Sequence, residues 1–490
     1  MAYKRKFTGY EKEMECLRTL VDEVESSEEE IDQDSENESD EEIFNSHDSE
    51  SEFEKNVEDD RNPDLVKCIF INKNNTVWQK GKPNQKVKTS SQNIITHLPG
   101  LKGTTRNITE PLESWELFFN AKMIRFIVER TNIYIEKISL NYTRDQDAKT
   151  TNDVEIRALF GLLYLCNLLK SSHTNTQDLS ATDGSGTEIL QNAMSYKRFN
   201  FLLGCLRLDS VTNCEARKKL DKLAAVREYF DDFNENCQKI YIIGEYITND
   251  EKLEKFRGRC SFRQYIPSRP AKYGIKIFAL IDLSTFYSYN MEIYVGQQPE
   301  GPFRVENSPF EITKRLCTSL FGSGRNVTMD NLYTSYPLAK ELLSKKLTVV
   351  GNLEKNKAEI PTEFVQIKTR KVYSSIFGFQ KNATLVSYVP KKSKCVVLLS
   401  TMHHDDAIDE SDDTKKPEII HFYNATKGGV DKVDEMSSLY STARKTNRWP
   451  MVVFYCVLNV VVINARVAFR CNKCLSCIIV NKDPSFTVSK

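Results

Sequence analysis

The chain has 490 residues, 13 cysteines and no net charge, but residues 1–60 carry 23 acidic and 6 basic side chains, so residues 61–490 are as basic as the leader is acidic. The length leaves room for two to four domains rather than one core. No apolar segment follows Met1, so no secretory signal is expected and the cysteines are expected in a reducing compartment. An acidic leader on a basic body points to nucleic acid as partner, the alternative being a solvating tail on a mildly basic protein.

Residues 1–104 are expected to be disordered. Asp22 to Asp60 holds 20 acidic residues and one lysine, too little apolar surface to offset the entropy of ordering. Ser26, Ser27, Ser35 and Ser39 precede acids and are candidate acceptors for an acid-directed kinase. Lys4-Arg5-Lys6 is a short pattern of the nuclear-targeting kind. Residues 65–72 and 76–98 are ambiguous, with room for a short docking segment.

From Pro111 the apolar residues take helical spacing. Trp115, Phe118, Phe119, Met123, Phe126 and Ile127 form one stripe, and Ile156, Leu159, Phe160, Leu163 and Tyr164 another after Asn152. Helices are also expected over 196–208 and 224–240, so residues 105–240 read as a helical domain. The texture turns β-like at Tyr241, with strands over 241–248, 275–282 and 286–295, the last two as a hairpin. A helix over 310–321, a strand over 326–329, a helix over 336–345 and a strand over 347–353 follow. Strands first and then alternation predict a mixed α/β sheet over residues 241–354. Residues 355–422 break the rhythm with pieces at 385–389 and 394–400 and an acidic loop at 405–413, and read as an insertion. Residues 423–470 close with a helix over 430–440, a basic turn at 444–448 and an apolar helix from Trp449. The stretch Trp449–Ile463, interrupted by Pro450 and Asn459, is too short to cross a bilayer and reads as buried, with no membrane partner.

Acids in telling positions make the chemistry. Asp250 is expected at the end of one strand and Asp330 at the end of another. Asp431 and Asp434 open a helix after Gly428-Gly429, three residues apart on one face. Converging carboxylates hold hard cations such as Mg²⁺ or Mn²⁺ through oxygen and serve in-line displacement at phosphorus. Arg257, Arg259, Arg263, Arg269, Lys272 and Lys276 follow Asp250 closely, and arginine meets phosphate with a planar fork of donors. From spacing alone, turn and helix-capping roles for the aspartates are the preferred reading.

Three long segments change that balance: DEKLEKFRGRCSFRQYIPSRPAKYGIKIFALID, VTMDNLYTSYPLAKELL and YNATKGGVDKVDEMSSLYSTARKTNRWPM. In this order, and across about residues 110–470, they resemble the transposase domain of the piggyBac superfamily. The resemblance implies an RNase H-like catalytic core with an insertion domain, flanked by a helical dimerisation and DNA-binding domain. Asp250, Asp330 and Asp431 then fall on the catalytic aspartates and bind two divalent cations, with Asp434 as a further acid of the metal set. The implied activity is cation-dependent cleavage and transfer of double-stranded DNA at transposon ends, with TTAA targets, by a nuclear homodimer. Arg257, Arg259, Arg263, Lys272, Lys276, Arg444, Lys445 and Arg448 are the expected backbone contacts. Tyr265, Tyr273 and Trp449 are candidates either for stacking on bases or for core packing.

The family usually ends in a cysteine-rich zinc-binding domain. Residues 471–490 keep Cys471, Cys474 and Cys477 with no further Cys or His. Three thiolates without a fourth ligand are an incomplete zinc site, either a relic or half of a site completed across a dimer. Asn249 stands where an apolar residue usually precedes the first aspartate, and Ser180 where the family commonly has Trp. Two readings follow from these residues: a transposase impaired in end recognition, or a transposon-derived DNA-binding or chromatin protein that keeps its aspartates by descent.

Overall fold

The computed structural model describes residues 69–480 apart from 73, 75, 84–93, 96, 172–173, 182, 184–185, 211–213, 268 and 270, and without the side chains of 104, 214–215 and 473–480. The acidic leader, its serines and the Lys4–Lys6 triplet lie outside the described residues. Residues Arg61–Lys490 make one compact unit.

The strands in chain order are β1 (Ile69–Ile71), β2 (Val77–Gln79), β3 (Gly100–Leu101), β4 (Tyr241–Ile242), β5 (Tyr246–Lys255), β6 (Gln264–Tyr265), β7 (Tyr273–Asp282), β8 (Ser288–Ile293), β9 (Asn326–Met329), β10 (Thr348–Asn352), β11 (Ser375–Gln380), β12 (Ala383–Lys391) and β13 (Lys394–Ser400). β3 and β4 pair with each other, and the other eleven form one mixed sheet. At its centre β8, β7 and β5 are antiparallel, β9 runs parallel to β5, and β10 runs parallel to β9. The sheet continues antiparallel through β13, β12 and β11 to β2 and β1. Residues 355–422 therefore extend the same sheet.

The central strands read as continuous apolar runs because both faces are covered: Ile275, Ile277, Ala279, Leu280 and Ile281 of β7 are fully buried. The ten principal helices are α1 (Pro111–Glu116), α2 (Ala121–Ser139), α3 (Asp153–Leu168), α4 (Tyr196–Cys205), α5 (Arg227–Ile240), α6 (Pro309–Cys317), α7 (Tyr336–Ser344), α8 (Glu418–Thr426), α9 (Gly429–Leu439) and α10 (Trp449–Val480). Caps set the starts of α2 and α3, where Asn120 accepts from the Met123 amide and Asn152 from the Glu155 amide. α10 packs against α1, α5, α9, β5 and β8. Val453, Phe454, Val457, Leu458, Val460 and Val461 are completely buried, so its apolar run belongs to the core of this fold. The asparagines that interrupt it have structural partners. Asn459 accepts from the amide and hydroxyl of Thr442, and Asn464 brackets the backbone N–H and C=O of Ser288 on β8.

Two expectations need correction. The strand placed at 241–248 is two strands separated by residues 243–245, and the second, β5, runs on to Lys255. Asp250 is therefore mid-strand, opposite Ala279 of β7. Residues 1–104 are not disordered throughout: the segment left ambiguous at 65–98 contains β1 and β2, which dock on the sheet edge. Fully buried Trp78 anchors them, its ring 5.5 Å from that of Tyr336 and its Nε1–H on the Glu359 carbonyl.

Candidate active site

The parallel register of β5 and β9 ends at Asn249 opposite Met329. Asp250 and Asp330 are the next residue on each, so the two carboxylates lie side by side where the parallel pairing stops. The crevice at the carboxyl ends of parallel strands is the usual place for a ligand in a sheet of this kind. Two residues earlier on each strand, on the same face, stand Thr248 and Thr328. The Thr248 hydroxyl donates to the Thr426 carbonyl at 2.7 Å and the Thr328 hydroxyl to Thr426 Oγ1 at 2.8 Å. This buried threonine clamp ties the end of α8 to both strands and delivers the start of α9, with Asp431, to the two aspartates. Close approach requires glycine at 429, because a Cβ there would meet Thr248 Oγ1 at 2.6 Å.

The carboxylates feel one another. Asp250 is raised well above the usual carboxylate range by burial, then by Glu251, with Asp330 and Asp431 adding to the push. Tyr423 donates to Asp330 Oδ1 at 3.4 Å, and Arg269 reaches Asp431 Oδ1 at 3.3 Å and the Glu251 carbonyl at 3.2 Å. Glu251 points to the opposite face, where buried Tyr333 donates to it at 2.7 Å and Lys276 pairs with it at 3.5 Å. On that face too Asn249 is fully buried and donates to Thr313 of α6.

Three carboxylates with mutual repulsion to relieve are the right donors for a hard divalent cation. Among the described residues no three His, Cys, Asp or Glu side chains converge tightly enough to hold one ion as they stand. The fit is one of donor chemistry and position. Asp434 lies apart from the other three, in an ion pair 3.1 Å from the buried Lys252 ammonium.

The basic residues divide. Arg257, Arg259 and Arg263 are exposed and, with Gly258, Cys260 and Asn447, line an open cleft of about 600 Å³. Gly258 lies against the Phe256 ring and the Asn447 carbonyl, leaving no room for a side chain. Tyr265 and Tyr273 are exposed and ring-paired at 4.7 Å, with the Arg263 guanidinium 5.2 Å from Tyr273. Lys272 and Lys445 are exposed as well. Three expected backbone contacts are turned inward. Lys276 pairs with Glu251, Arg444 donates to the carbonyls of Ser171 and Thr174, and Arg448 donates to those of Leu203, Gly204 and Leu206. Burial draws the Arg448 guanidinium down to about 10. Trp449 packs edge-on to Phe262, the core alternative for that residue.

α10 continues as helix through Cys471, Cys474 and Cys477 to Val480. Cys471 is half-buried against the core, and the other two side chains lie outside the described residues. Sequence reasoning passed over the threonine clamp, Tyr423 and Lys252. A threonine two residues before each of two strand aspartates was the available signal for the clamp.

Comparison with known proteins bears on these residues. A protein family described as Transposase IS4 matches residues 110–466. Human PiggyBac transposable element-derived protein 3 is 20% identical over 356 residues, 69% of this chain and 58% of its own. Human PiggyBac transposable element-derived protein 2 is 21% identical over 354 residues, with the same coverage of 69% and 58%. This chain thus matches little more than half the length of these relatives. A cryo-EM structure of a piggyBac transposase synaptic complex with hairpin DNA superposes with a TM-score of 0.72 at 40% identity, covering 78% of this chain and 79% of the other.

Proposed function

The chain belongs to the piggyBac transposase family, and from that premise we propose that it is a DNA strand-cleaving and strand-transferring enzyme acting at transposon ends with TTAA targets. The observation that carries the reading is the pairing of Asp250 with Asp330 where β9 stops, with Asp431 brought to them by α9. In this reading β5 and β7–β10, three antiparallel strands followed by two parallel ones, form an RNase H-like core.

Asp250, Asp330 and Asp431 would hold two divalent cations, Mg²⁺ or Mn²⁺. Bound there, such cations supply Lewis acidity to the attacking and leaving oxygens of an in-line displacement. The protein's own part is positional. The threonine clamp fixes the spacing of the two strands and α9, and Tyr423 orients Asp330. Arg269 neutralises Asp431 and offers a guanidinium where a scissile phosphate arrives. The exposed Arg257, Arg259 and Arg263, with Lys272 and Lys445, take the DNA backbone, and the Tyr265–Tyr273 pair offers rings to an unpaired base. Water attacks at the transposon end, and the freed 3′-hydroxyl attacks the opposite strand to give a hairpin. A homodimer working in the nucleus completes the proposal.

A second reading, a transposon-derived DNA-binding or chromatin protein without transposition activity, is favoured by one observation: the three carboxylates do not converge on a single point as they stand. Full-length protein incubated with a duplex carrying the genomic sequence that flanks its reading frame, in Mg²⁺ or Mn²⁺, separates the two. Nicked and hairpin products that disappear with EDTA support the enzyme. Binding with no cleavage in either cation supports the second reading.

A further inference from the structure

Lys252 is 1% exposed, lies on the Asp250 face of β5, and its ammonium stands 3.0 Å from Glu254 and 3.1 Å from Asp434. A lysine is almost never buried so fully without a partner, and an isolated ammonium there would be costly. Asp434 lies one turn beyond Asp431 on the same face of α9, from which a freed carboxylate could swing toward Asp250.

We propose that Lys252 is a built-in counter-ion that keeps Asp434 out of the cation site, so that Asp434 positions α9 and does not ligate the cation. The ammonium satisfies Asp434 with a charge fixed in the sheet. The same ion pair joins β5 to α9 one turn past Asp431 and sets how far that carboxylate reaches. Both residues are positioning residues. The inference rests on the cation site of the preceding section, and its test separates the two.

The test is Mn²⁺ binding to the full chain by titration calorimetry without DNA. Asp431→Asn is expected to weaken binding by about tenfold or more, as loss of metal-site support commonly does, while Asp434→Asn stays within about twofold of the unmodified chain. Lys252→Met frees Asp434 and is expected to tighten binding, and the double variant Lys252→Met/Asp434→Asn, neutral at both positions, returns it to the starting affinity. Should Lys252→Met not fold, Asp434→Asn and the double variant still decide the matter. An Asp434→Asn loss as large as that of Asp431→Asn overturns the proposal, as does a Lys252→Met variant that folds without tightening. If Asp250→Asn leaves Mn²⁺ binding unchanged, the cation site itself is wrong, whatever happens at 434. Thermal unfolding supplies the second readout: each single variant lowers Tm, and the double lowers it by less than their sum. Strictly additive losses would mean that Lys252 and Asp434 are not coupled.

Discussion

Arg257–Arg263 and Arg444–Arg448 are two basic runs of similar composition, and the fold uses them in opposite ways. The first lies in the connection between β5 and β7, where the neighbouring strand carbonyls are already spent on the ladder. Arg257 and Arg259 stand out around an open cleft, while Arg263, also at its rim, donates to the carbonyls of Arg257 and Gly258. The second passes the ends of helices, where the last carbonyls of a helix have no partner within it. Arg448 takes three carbonyls at the end of α4, and Arg444 takes two just beyond α3. A positive charge at a helix C-terminus is favourable in its own right. Charge on a sequence marks a candidate contact with phosphate, but the carbonyls within reach decide how far the arginine remains available for it.

The contrast breaks most easily at Arg448. Arg448→Ala takes the side-chain donor from the Leu203 carbonyl, while Arg207 still donates to those of Gly204 and Leu206, and the expected loss is about 2 kcal/mol of unfolding free energy by denaturant titration. DNA affinity of the protein that remains folded should be unchanged. The exposed side gives the reverse pattern. The double variant Arg257→Ala/Arg259→Ala should keep its stability within about 0.5 kcal/mol. It should bind duplex DNA about tenfold more weakly, with a salt dependence shallower by about two charges. A smaller effect sharpens the rule: Lys276→Gln, already committed to Glu251, should change DNA affinity by less than about twofold, since a charge engaged inside the protein releases no counter-ion from DNA. A tenfold loss at Lys276 would mean that its ion pair opens on binding.

Much of the fold was legible because period and length agree with burial. The hairpin of β7 and β8, the short strand β9, α7 and the long apolar helix all stand close to where their patterns put them. Two features were hidden for physical reasons. Ile243, Gly244 and Glu245 end β4 and restart the chain in a different pairing, and a single glycine in an apolar run does not mark a change of partner strand. The continuity of β10 with β13 is a long-range pairing that a local pattern does not encode. In the site, it was the resemblance that singled out Asp250, Asp330 and Asp431, since spacing alone favoured turn and capping roles. Their support was not legible, since Thr248, Thr328 and Thr426 come from three separate elements and meet only after folding. Arg444 and Arg448 misled because sequence gives the charge and not the carbonyls that claim it.

The central claim is that Asp250, Asp330 and Asp431 act together at one site. The measurement that tests it most directly is strand cleavage of the flanking-sequence duplex in Mn²⁺ by the unmodified chain and by Asp250→Ala, Asp330→Ala and Asp431→Ala, each first checked for folding by circular dichroism and for DNA binding. Cleavage by the unmodified chain that falls to background in all three variants, with DNA binding retained, is the predicted result. Cleavage that persists in any one of them would contradict it.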